Sequence, residues 1–395
     1  MLTLIKNGTV FGPEPQGEKD ILIAGAKIVA MDRPGRLTLG TLSVELLDAS
    51  GKIILPGLID PHVHILGGGG EGGPATRAPE IRVEDIIASG VTTVIGCLGT
   101  DGTTRHMESL LAKARALEVE GITTFIFSGS YEIPLKTITG SIRSDLVLID
   151  KVIGAGEIAI SDHRSSQPTF EEIARLAADC RVGGMLGGKA GILHLHLGDG
   201  PRRLEFLFRL ASETEIPSTQ VIPTHINRNP ELLDEAIRWA LAGGSIDLTV
   251  GPEPEPESPE ISVEKAIALC LERHVPLERL TVSSDSNGSL PVFDRAGKLV
   301  GLTIATQRDL LRTLQSLLRR QLIGIEDAAR LFSANAAAFY KLSAKGEVKP
   351  GKDADLAVFD SDWELSEVFA LGRRLMAGGK VTASGTFSPG TGDRG

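Results

Sequence analysis

Hydrophobic and polar positions divide the chain into a β-rich start, a long middle of alternating patterns and a β-rich end. Residues 1 to about 54 carry short apolar runs separated by turns, with no useful helical period. Strands are expected there at residues 2–6, 20–23, 26–31 and 44–47. Residues 346–359 return to β character, so we expect the two ends of the chain to pair.

In the middle of the chain, short β-rich apolar runs alternate with longer helical stretches. This alternation is typical of parallel βα units, and eight such units favour a closed barrel. Two further helices are expected after the barrel, at residues 307–320 and 325–339. The eight expected barrel strands are residues 53–59, 91–98, 123–128, 158–161, 192–197, 221–224, 245–250 and 280–284.

These patterns predict an α/β fold with two parts. The larger part is a (β/α)₈ TIM-like barrel over residues 55–345. The smaller is a β-sandwich domain that residues 1–54 and 346–395 build together.

Composition narrows the class of protein. The 51 acidic and 41 basic residues give a formal net charge of −10, which disfavours binding to nucleic acid or an anionic membrane. No apolar run approaches the roughly 18 residues of a membrane span, and no signal peptide is visible. We therefore expect a cytoplasmic protein. Cys97, Cys180 and Cys270 are too few and too scattered for a disulfide framework, and are expected to be small apolar residues.

Metal-ligating side chains recur where the expected barrel strands end. His62 and His64 follow the first strand, and positions i and i+2 of a strand share a face. His196 and His225 end the fifth and sixth strands, and Asp285 ends the eighth. Because active sites of barrels lie at this face, the set predicts a centre for zinc or a similar divalent ion, with room for two.

One segment, Pro-Gly-Leu-Ile-Asp-Pro-His-Val-His at residues 56–64, resembles the signature of the amidohydrolase superfamily. Further segments narrow the resemblance to the isoaspartyl dipeptidases, the β-aspartyl-peptidases of that superfamily. The segments that carry it are residues 67–74, 130–131, 137–140, 161–165, 196–199, 223–229 and 283–289.

The resemblance implies a zinc-dependent metallopeptidase that cleaves β-aspartyl dipeptides into aspartate and an amino acid. A metal-bound hydroxide would attack the side-chain amide carbonyl. Asp285 would take the proton of that hydroxide as general base and pass it to the leaving amine as general acid. Tyr131 would donate its hydroxyl hydrogen to the carbonyl oxygen as negative charge develops there.

The resemblance also implies two zinc ions, with one departure from the family pattern. Isoaspartyl dipeptidases commonly bridge their metals with a carbamylated lysine on the fourth strand, where this chain has Glu157. Its side chain is three bonds shorter, a loss of roughly 3–4 Å of reach. An extra residue just upstream could bulge the strand inwards and restore that reach; otherwise the site holds one metal or two unequally occupied ones. The expected ligands are His62, His64, Glu157, His196, His225 and Asp285.

Charged residues near the strand ends are expected to select the substrate. A β-aspartyl dipeptide carries one ammonium and two carboxylates around the scissile bond. Glu71, on a glycine-rich loop, would bind the ammonium, and Arg164 and Arg228 would bind the carboxylates with paired hydrogen bonds. Further substrate contacts are expected from Thr100, Ser289 and the backbone at Gly69.

Two rival functions stay open at this stage. One is a related amidohydrolase that acts on cyclic amides or N-acyl amino acids; the other is a non-catalytic scaffold. Homo-oligomer formation follows from the family resemblance alone. His194 shares a strand face with His196, and is expected to be a hydrogen-bonded interior residue instead of a ligand.

Overall fold

The structure, a computed structural model, describes residues 2–254, 258–293 and 299–388. Strands in chain order are β1 Leu2–Phe11, β2 Pro15–Ala24, β3 Lys27–Asp32, β4 Glu45–Asp48, β5 Ile53–Pro56, β6 Leu58–Val63, β7 Val91–Gly96, β8 Thr123–Ser128, β9 Val152–Ile160, β10 Ile192–Leu197, β11 Val221–Thr224, β12 Ile246–Thr249, β13 Leu280–Ser283, β14 Ser289–Phe293, β15 Leu299–Ile304, β16 Leu356–Phe359, β17 Leu365–Ala370, β18 Arg373–Ala377 and β19 Lys380–Val381.

Helices alternate with the middle strands. They are α1 Val83–Ile87, α2 Met107–Glu120, α3 Ile142–Leu148, α4 Phe170–Gly187, α5 Glu205–Glu213, α6 Pro230–Leu241, α7 Val263–Glu272, α8 Gln307–Arg319, α9 Ile325–Ala329 and α10 Asn335–Phe339. A π-helical turn, Arg330–Ala334, joins the last two. No helix in the described part of the chain is both long enough and apolar enough to cross a membrane.

Strands β6 to β13 are the eight strands of a (β/α)₈ barrel. Six of them form one parallel sheet in the order β11-β10-β9-β8-β7-β6, and β12 pairs in parallel with β13. Strand β12 lies beside β11, and β13 lies beside β6, so the strands close into a ring. The predicted fold class is therefore confirmed.

The first and fourth barrel strands differ from their predicted bounds. The segment predicted as one strand over residues 53–59 is two strands, because β5 pairs with β1 and β16 while β6 pairs with β7. Gly57 separates them, and an added Cβ there would lie 2.3 Å from Thr92 Oγ1. The fourth strand begins at Val152, six residues before its predicted start, so Glu157 lies inside β9 and not at its beginning.

Strands from both ends of the chain share one nine-stranded sheet. Its hydrogen-bonded order is β19-β18-β17-β16-β5-β1-β2-β3, with β4 paired to β1. A separate apolar core, including Ile5, Ile21, Ile54, Leu356 and Phe369, lies under this β-rich part. The domain boundaries expected near residues 54 and 346 stay a prediction.

Apolar side chains fill one end of the barrel interior. Inward-facing Ile59, Ile95, Ile192 and Ile222 pack with Tyr340, which directly follows α10. Burial of each large aliphatic side chain contributes about 1.5–3 kcal/mol. Because this end is filled by hydrocarbon, polar side chains of the barrel strands collect at the opposite, carboxyl end.

Candidate metal-dependent active site

The six expected metal ligands meet at the carboxyl end of the barrel. His62, Glu157 and His196 lie on β6, β9 and β10, while His64, His225 and Asp285 follow β6, β11 and β13 within two residues. The four histidines and Glu157 are buried, and 15% of the Asp285 side chain is exposed. Elements far apart in sequence thus place six potential ligands in one pocket.

Asp285 lies against the histidine pair of the first barrel strand. Its Oδ1 is 3.4 Å from His62 Nε2 and 2.9 Å from His64 Nε2. The backbone of Asp285 has φ 52° and that of His225 has φ 61°, a left-handed conformation that costs non-glycine residues about 1–3 kcal/mol. Such strain concentrates at functional sites, and here it turns two side chains inwards directly after their strands.

The Glu157 carboxylate lies between all four histidines. Its Oε1 is 3.4 Å from His64 Nε2, and its Oε2 is 3.5 Å from His62 Nε2. The same Oε2 is 3.0 Å from His196 Nδ1 and 3.6 Å from His225 Nε2. One carboxylate therefore faces both the pair His62 and His64 and the pair His196 and His225.

A β-bulge carries Glu157 to this position. Ala155 pairs with Leu193 and Ile158 pairs with Leu195, so β9 advances three residues while β10 advances two. The extra residue falls at Gly156–Glu157, beside His194. A bulge of this kind bends the strand and re-aims a side chain, which is how the short glutamate reaches the histidines.

The side chains present fit a bound cation. Three buried atoms, His62 Nε2, Glu157 Oε1 and Asp285 Oδ1, have no hydrogen-bond partner among the described residues. Unpaired buried acceptors are costly, and cations are their usual partners at such centres. Ligand atoms within 4.8 Å of one another form three groups, which are His62 with His64, Cys97 and Glu157, His62 with His225 and Asp285, and Glu157 with His196 and His225.

The second ring nitrogens of His62 and His225 each have a partner of their own. His62 Nδ1 lies 2.8 Å from His194 Nε2, and His225 Nδ1 lies 2.8 Å from Thr249 Oγ1. His194 is fully buried and stacks on Phe127 with ring centroids 4.8 Å apart. Partners of this kind orient metal-binding imidazoles, so His194 supports His62 from behind.

Electrostatics keep both carboxylates of the pocket ionised. Burial opposes ionisation of Glu157, but His62, His196 and His225 hold the pKa of its carboxyl well below the usual value. Burial likewise opposes ionisation of Asp285, while the close approach of His62 and His64 holds the pKa of its carboxyl well below the usual value. Burial lowers the pKa of His225 to about 3, so its imidazole is neutral, the form that binds metals.

Tyr131 lies at the edge of this pocket. Its hydroxyl is 2.9 Å from His196 Nδ1, and the residue is 6% exposed. Burial, reinforced by the charge of Glu157, raises the pKa of Tyr131 well above its usual value. The phenol therefore keeps its proton and can donate it in a hydrogen bond.

Three of the expected substrate-binding side chains converge on Glu71. Thr100 Oγ1 donates to Glu71 Oε1 at 2.7 Å, and Ser289 Oγ donates to Glu71 Oε2 at 3.3 Å. Arg164 Nη1 lies 3.5 Å from Glu71 Oε1. Burial raises and these neighbours lower the pKa of Glu71, with a net decrease. The side chain is still 27% exposed, so its carboxylate can reach a ligand.

The two expected arginines differ in their partners. Arg164 pairs with Asp162 through Nε to Oδ1 at 3.0 Å and through Nη2 to Oδ2 at 2.8 Å, while its guanidinium lies over the Tyr131 ring. Asp162 Oδ2 is also 3.0 Å from His196 Nε2. Arg228, by contrast, has a buried Nε without a partner among the described residues. Asp162 was not expected from the sequence, although it lies two residues before Arg164.

Arg105 holds the glycine-rich loop, a role that the sequence did not predict. It is 5% exposed and donates to the carbonyl oxygens of Gly68 at 2.7 Å and Gly69 at 3.1 Å. Gly69 has φ 72°, and an added Cβ would lie 2.6 Å from Thr76 O. The position therefore requires glycine, and its carbonyl is already bonded within the protein.

Cys97 packs among apolar side chains, as the sequence suggested, but it also contacts a metal-ligand candidate. Its Sγ lies 3.8 Å from His64 Nδ1 and 3.7 Å from Val63 O. Cys180 and Cys270 do pack in the main hydrophobic core, as expected. Cys97 directly follows β7, where its side chain faces the barrel interior, whereas Cys180 and Cys270 lie on helices.

Known proteins of similar fold agree with this architecture. A crystal structure of β-aspartyl dipeptidase from Fervidobacterium islandicum AW-1, in complex with β-Asp-Leu dipeptide, superposes with a TM-score of 0.89. The two chains are 46% identical over 96% of this chain and 98% of that one. This similarity confirms the resemblance to isoaspartyl dipeptidases.

Sequence relatives are more distant. A dihydroorotase from Lactococcus lactis is 25% identical over 93% of this chain and 92% of that enzyme. A dihydroorotase from Pelotomaculum thermopropionicum is 32% identical, but the match spans 41% of this chain and 35% of that enzyme's length. The amidohydrolase family matches residues 53–382, which include the barrel and all six expected ligands. The chain therefore belongs to the amidohydrolase family.

Proposed function

We propose that this protein is a metal-dependent dipeptidase that hydrolyses β-aspartyl dipeptides to aspartate and an amino acid. The observation that carries the proposal is the pairing of two features in one pocket. Glu71 and Arg164, of opposite charge and 3.5 Å apart, face the mouth of a six-ligand metal site. A β-aspartyl dipeptide presents an ammonium and two carboxylates around its scissile amide, a matching set of charges.

The proposed cofactor is a pair of zinc ions with Glu157 between them. Histidine nitrogens and carboxylate oxygens suit zinc, and the two Glu157 oxygens face different histidines. When bound, such ions polarise the scissile carbonyl and lower the pKa of a bound water towards neutrality. The expected ligand set is His62, His64, Glu157, His196, His225 and Asp285.

Two side chains are proposed to act on the reacting atoms. Asp285 keeps its carboxylate ionised, so it can take a proton from the attacking water and then pass it to the leaving amine. Tyr131 keeps its phenol protonated, so it can donate to the carbonyl oxygen as that oxygen becomes negative. Both groups adjoin the same pocket. The Tyr131 hydroxyl contacts His196, and the Asp285 carboxylate contacts His64.

Substrate charges are proposed to bind in fixed places. The Glu71 carboxylate, held by Thr100 and Ser289, would accept the substrate ammonium. Arg228, with its unpaired Nε, and Arg164, oriented by Asp162, would bind the two carboxylates. Gly69 would contribute backbone at the loop. The similarity to a β-aspartyl dipeptidase crystallised with β-Asp-Leu supports this assignment.

The dihydroorotase relatives favour a second candidate, hydrolysis of a cyclic amide. Dihydroorotate carries a carboxylate but no ammonium, so it would offer Glu71 no positive charge and would bring a negative charge towards it. The peptide is therefore the better match for the charges at this site. A cytoplasmic location and a homo-oligomer, both expected from the sequence, belong to the same proposal.

Amino-acid release from β-Asp-Leu tests the proposal, with α-Asp-Leu as the isomeric control. Zinc-loaded protein is expected to cleave the β isomer alone, because only that isomer places the scissile amide on the side chain between the charged groups. Asp285→Asn is expected to lower kcat by about 10²-fold or more. Equal cleavage of both isomers, or none of either, would contradict the assignment.

A further inference from the structure

Cys97 lies where the apolar floor of the barrel meets the metal pocket. It is 1% exposed and packs in the barrel-interior cluster with Ile95 and Phe127. It lies two positions after Ile95 along the chain, so both side chains point inwards. Its thiol therefore adjoins both the apolar cluster of the barrel interior and the metal pocket.

The thiol sulfur belongs to a compact set of possible ligand atoms. Atoms of Cys97, His62, His64 and Glu157 all lie within 4.8 Å of one another. The contacts of the sulfur with protein atoms are long, 3.8 Å to His64 Nδ1 and 3.7 Å to Val63 O. The thiol therefore has no short hydrogen bond among the described residues that a metal would have to break.

Two other atoms of this set independently favour a bound cation. His62 Nε2 and Glu157 Oε1 are buried and have no hydrogen-bond partner among the residues described. Both residues are fully buried, so neither atom is exposed to bulk solvent. A lone thiol among apolar residues would need no ligand, but a thiol beside an unpaired nitrogen and an unpaired carboxylate oxygen completes a coordination set.

The other two cysteines show what a purely structural thiol looks like here. Cys180 and Cys270 are buried in the main core, among aliphatic side chains. Burial raises the pKa of the Cys270 thiol to about 12, which keeps it protonated. Neither residue belongs to a group of possible metal ligands in the described part of the chain. The position of Cys97 is therefore not a general consequence of burying cysteine in this fold.

We propose that Cys97 is a thiolate ligand of the ion held by His62 and His64. On binding, the thiol proton leaves to solvent and a sulfur–metal bond takes its place. The thiolate adds one negative charge beside Glu157, whose side chain is shorter than the carbamylated lysine of related enzymes. Because thiolates favour zinc over magnesium, calcium or manganese, this ligand would also make the centre selective for a softer ion.

Cobalt substitution tests this proposal, which rests on the metal centre of the proposed function and not on its substrate. Apoprotein reloaded with Co²⁺ is expected to show a thiolate-to-cobalt charge-transfer band in the near ultraviolet. Cys97→Ala should abolish the band, whereas Cys180→Ala, which removes an equally buried thiol from the core, should keep it. Absence of the band in the natural protein, with bound cobalt verified by metal analysis, overturns the proposal whether or not any variant folds.

Zinc affinity provides a second readout. Titration with a competing chelator is expected to show at least about tenfold weaker zinc binding in Cys97→Ala than in Cys180→Ala. Equal affinity in the two variants would contradict a ligand role for Cys97. Hydrolysis of β-Asp-Leu is measured separately, so a cobalt band without peptidase activity would sustain the ligand and reject only the substrate.

Discussion

His62 and His225 each present Nε2 to the centre because a neighbour occupies the other ring nitrogen. His194 lies 2.8 Å from Nδ1 of His62, and Thr249 lies 2.8 Å from Nδ1 of His225. Tyr340 in turn lies 3.5 Å from the far nitrogen of His194. The contacts of His194 and Thr249 fix the ring orientation, and loss of such a direct contact typically costs 10- to 100-fold in metal affinity. Among the described residues, Tyr340 touches no ligand candidate directly, so its hydroxyl matters less.

At the residue scale, Tyr131→Phe is expected to lower kcat for β-Asp-Leu by about 10²- to 10³-fold with little change in KM. The variant removes the hydroxyl that is proposed to stabilise charge only as the reaction proceeds. The matched control is Tyr340→Phe, which removes the hydroxyl of the other tyrosine in the chain and should change kcat by less than about tenfold. Steady-state kinetics on both variants check this. A kcat for Tyr131→Phe equal to that of Tyr340→Phe would contradict a catalytic role for Tyr131.

Glu71 is proposed to bind the substrate ammonium, which would make substrate binding depend on pH. Its pKa lies below the ordinary 4.5, so the carboxylate stays ionised as pH falls from 7 to about 5. KM for β-Asp-Leu is therefore expected to stay constant over that window and to rise only as pH falls through the lowered pKa.

Glu71→Gln is the matched variant for this pH series. It should raise KM at least about tenfold at every pH, because the amide cannot pair with the ammonium. Measurements of KM against pH on both proteins separate loss of the Glu71 charge by substitution from loss of that charge by protonation. A KM that already rises between pH 7 and 6 in the natural protein would contradict a lowered pKa at Glu71.

Single residues were predictable where strand periodicity placed them. His62, His64, His196 and His225 follow from their positions at strand ends. Asp162 and Arg105 were missed, since their roles come from contacts with residues far away in the chain. Cys97 was predicted as a small apolar residue, and it does pack in the apolar cluster of the barrel interior; its contact with His64 was not predictable, because sequence does not show what a buried cysteine faces.

At the scale of elements, the bulge in β9 decides whether a glutamate can reach the histidines. The sequence suggested an extra residue near Gly156, and the pairing of β9 with β10 shows one more residue on β9. The sequence did not reveal that β9 begins at Val152, since residues 152–157 combine glycine and alanine with few large apolar side chains. Likewise, only strand pairing distinguishes β5 from β6, which are adjacent in sequence but lie in different sheets.

Gly156→Ala is expected to disrupt this bulge. An added Cβ would lie 2.8 Å from His194 Cβ and 2.9 Å from His194 O, so β9 or β10 must shift and move Glu157 and His62 apart. Zinc affinity, measured by chelator competition, should fall roughly 10- to 100-fold. Gly301→Ala is the control, because its Cβ would meet nothing within 4 Å. Unchanged zinc affinity in Gly156→Ala would show that the bulge does not position the ligands.

At the scale of the whole molecule, the barrel turns six scattered residues into one centre. Ligands come from β6, β9 and β10 and from the residues after β6, β11 and β13, so a bound ion ties together strands from across the ring. Metal binding to a folded site stabilises the fold, because the unfolded chain holds no such site. The parallel βα pattern made this ring predictable, whereas the sharing of one sheet by both chain ends became definite only through strand pairing.

Metal removal is therefore expected to weaken the whole barrel. Chelation should lower Tm by on the order of 5 °C, corresponding to roughly 3 kcal/mol at a metal concentration about 100 times Kd. Calorimetry on protein before chelation, after chelation and after return of zinc checks this. An unchanged Tm on removal of verified bound metal would mean that the six residues do not link the strands through an ion.

The most direct test of the account compares β-Asp-Leu with dihydroorotate on one zinc-loaded preparation. The charges of Glu71, Arg164 and Arg228 predict that kcat/KM for the peptide exceeds that for the cyclic amide by at least about 10³-fold. Such a ratio would establish that the pocket recognises an ammonium beside a side-chain amide. A higher kcat/KM for dihydroorotate would contradict the dipeptidase assignment and place the protein with its dihydroorotase relatives.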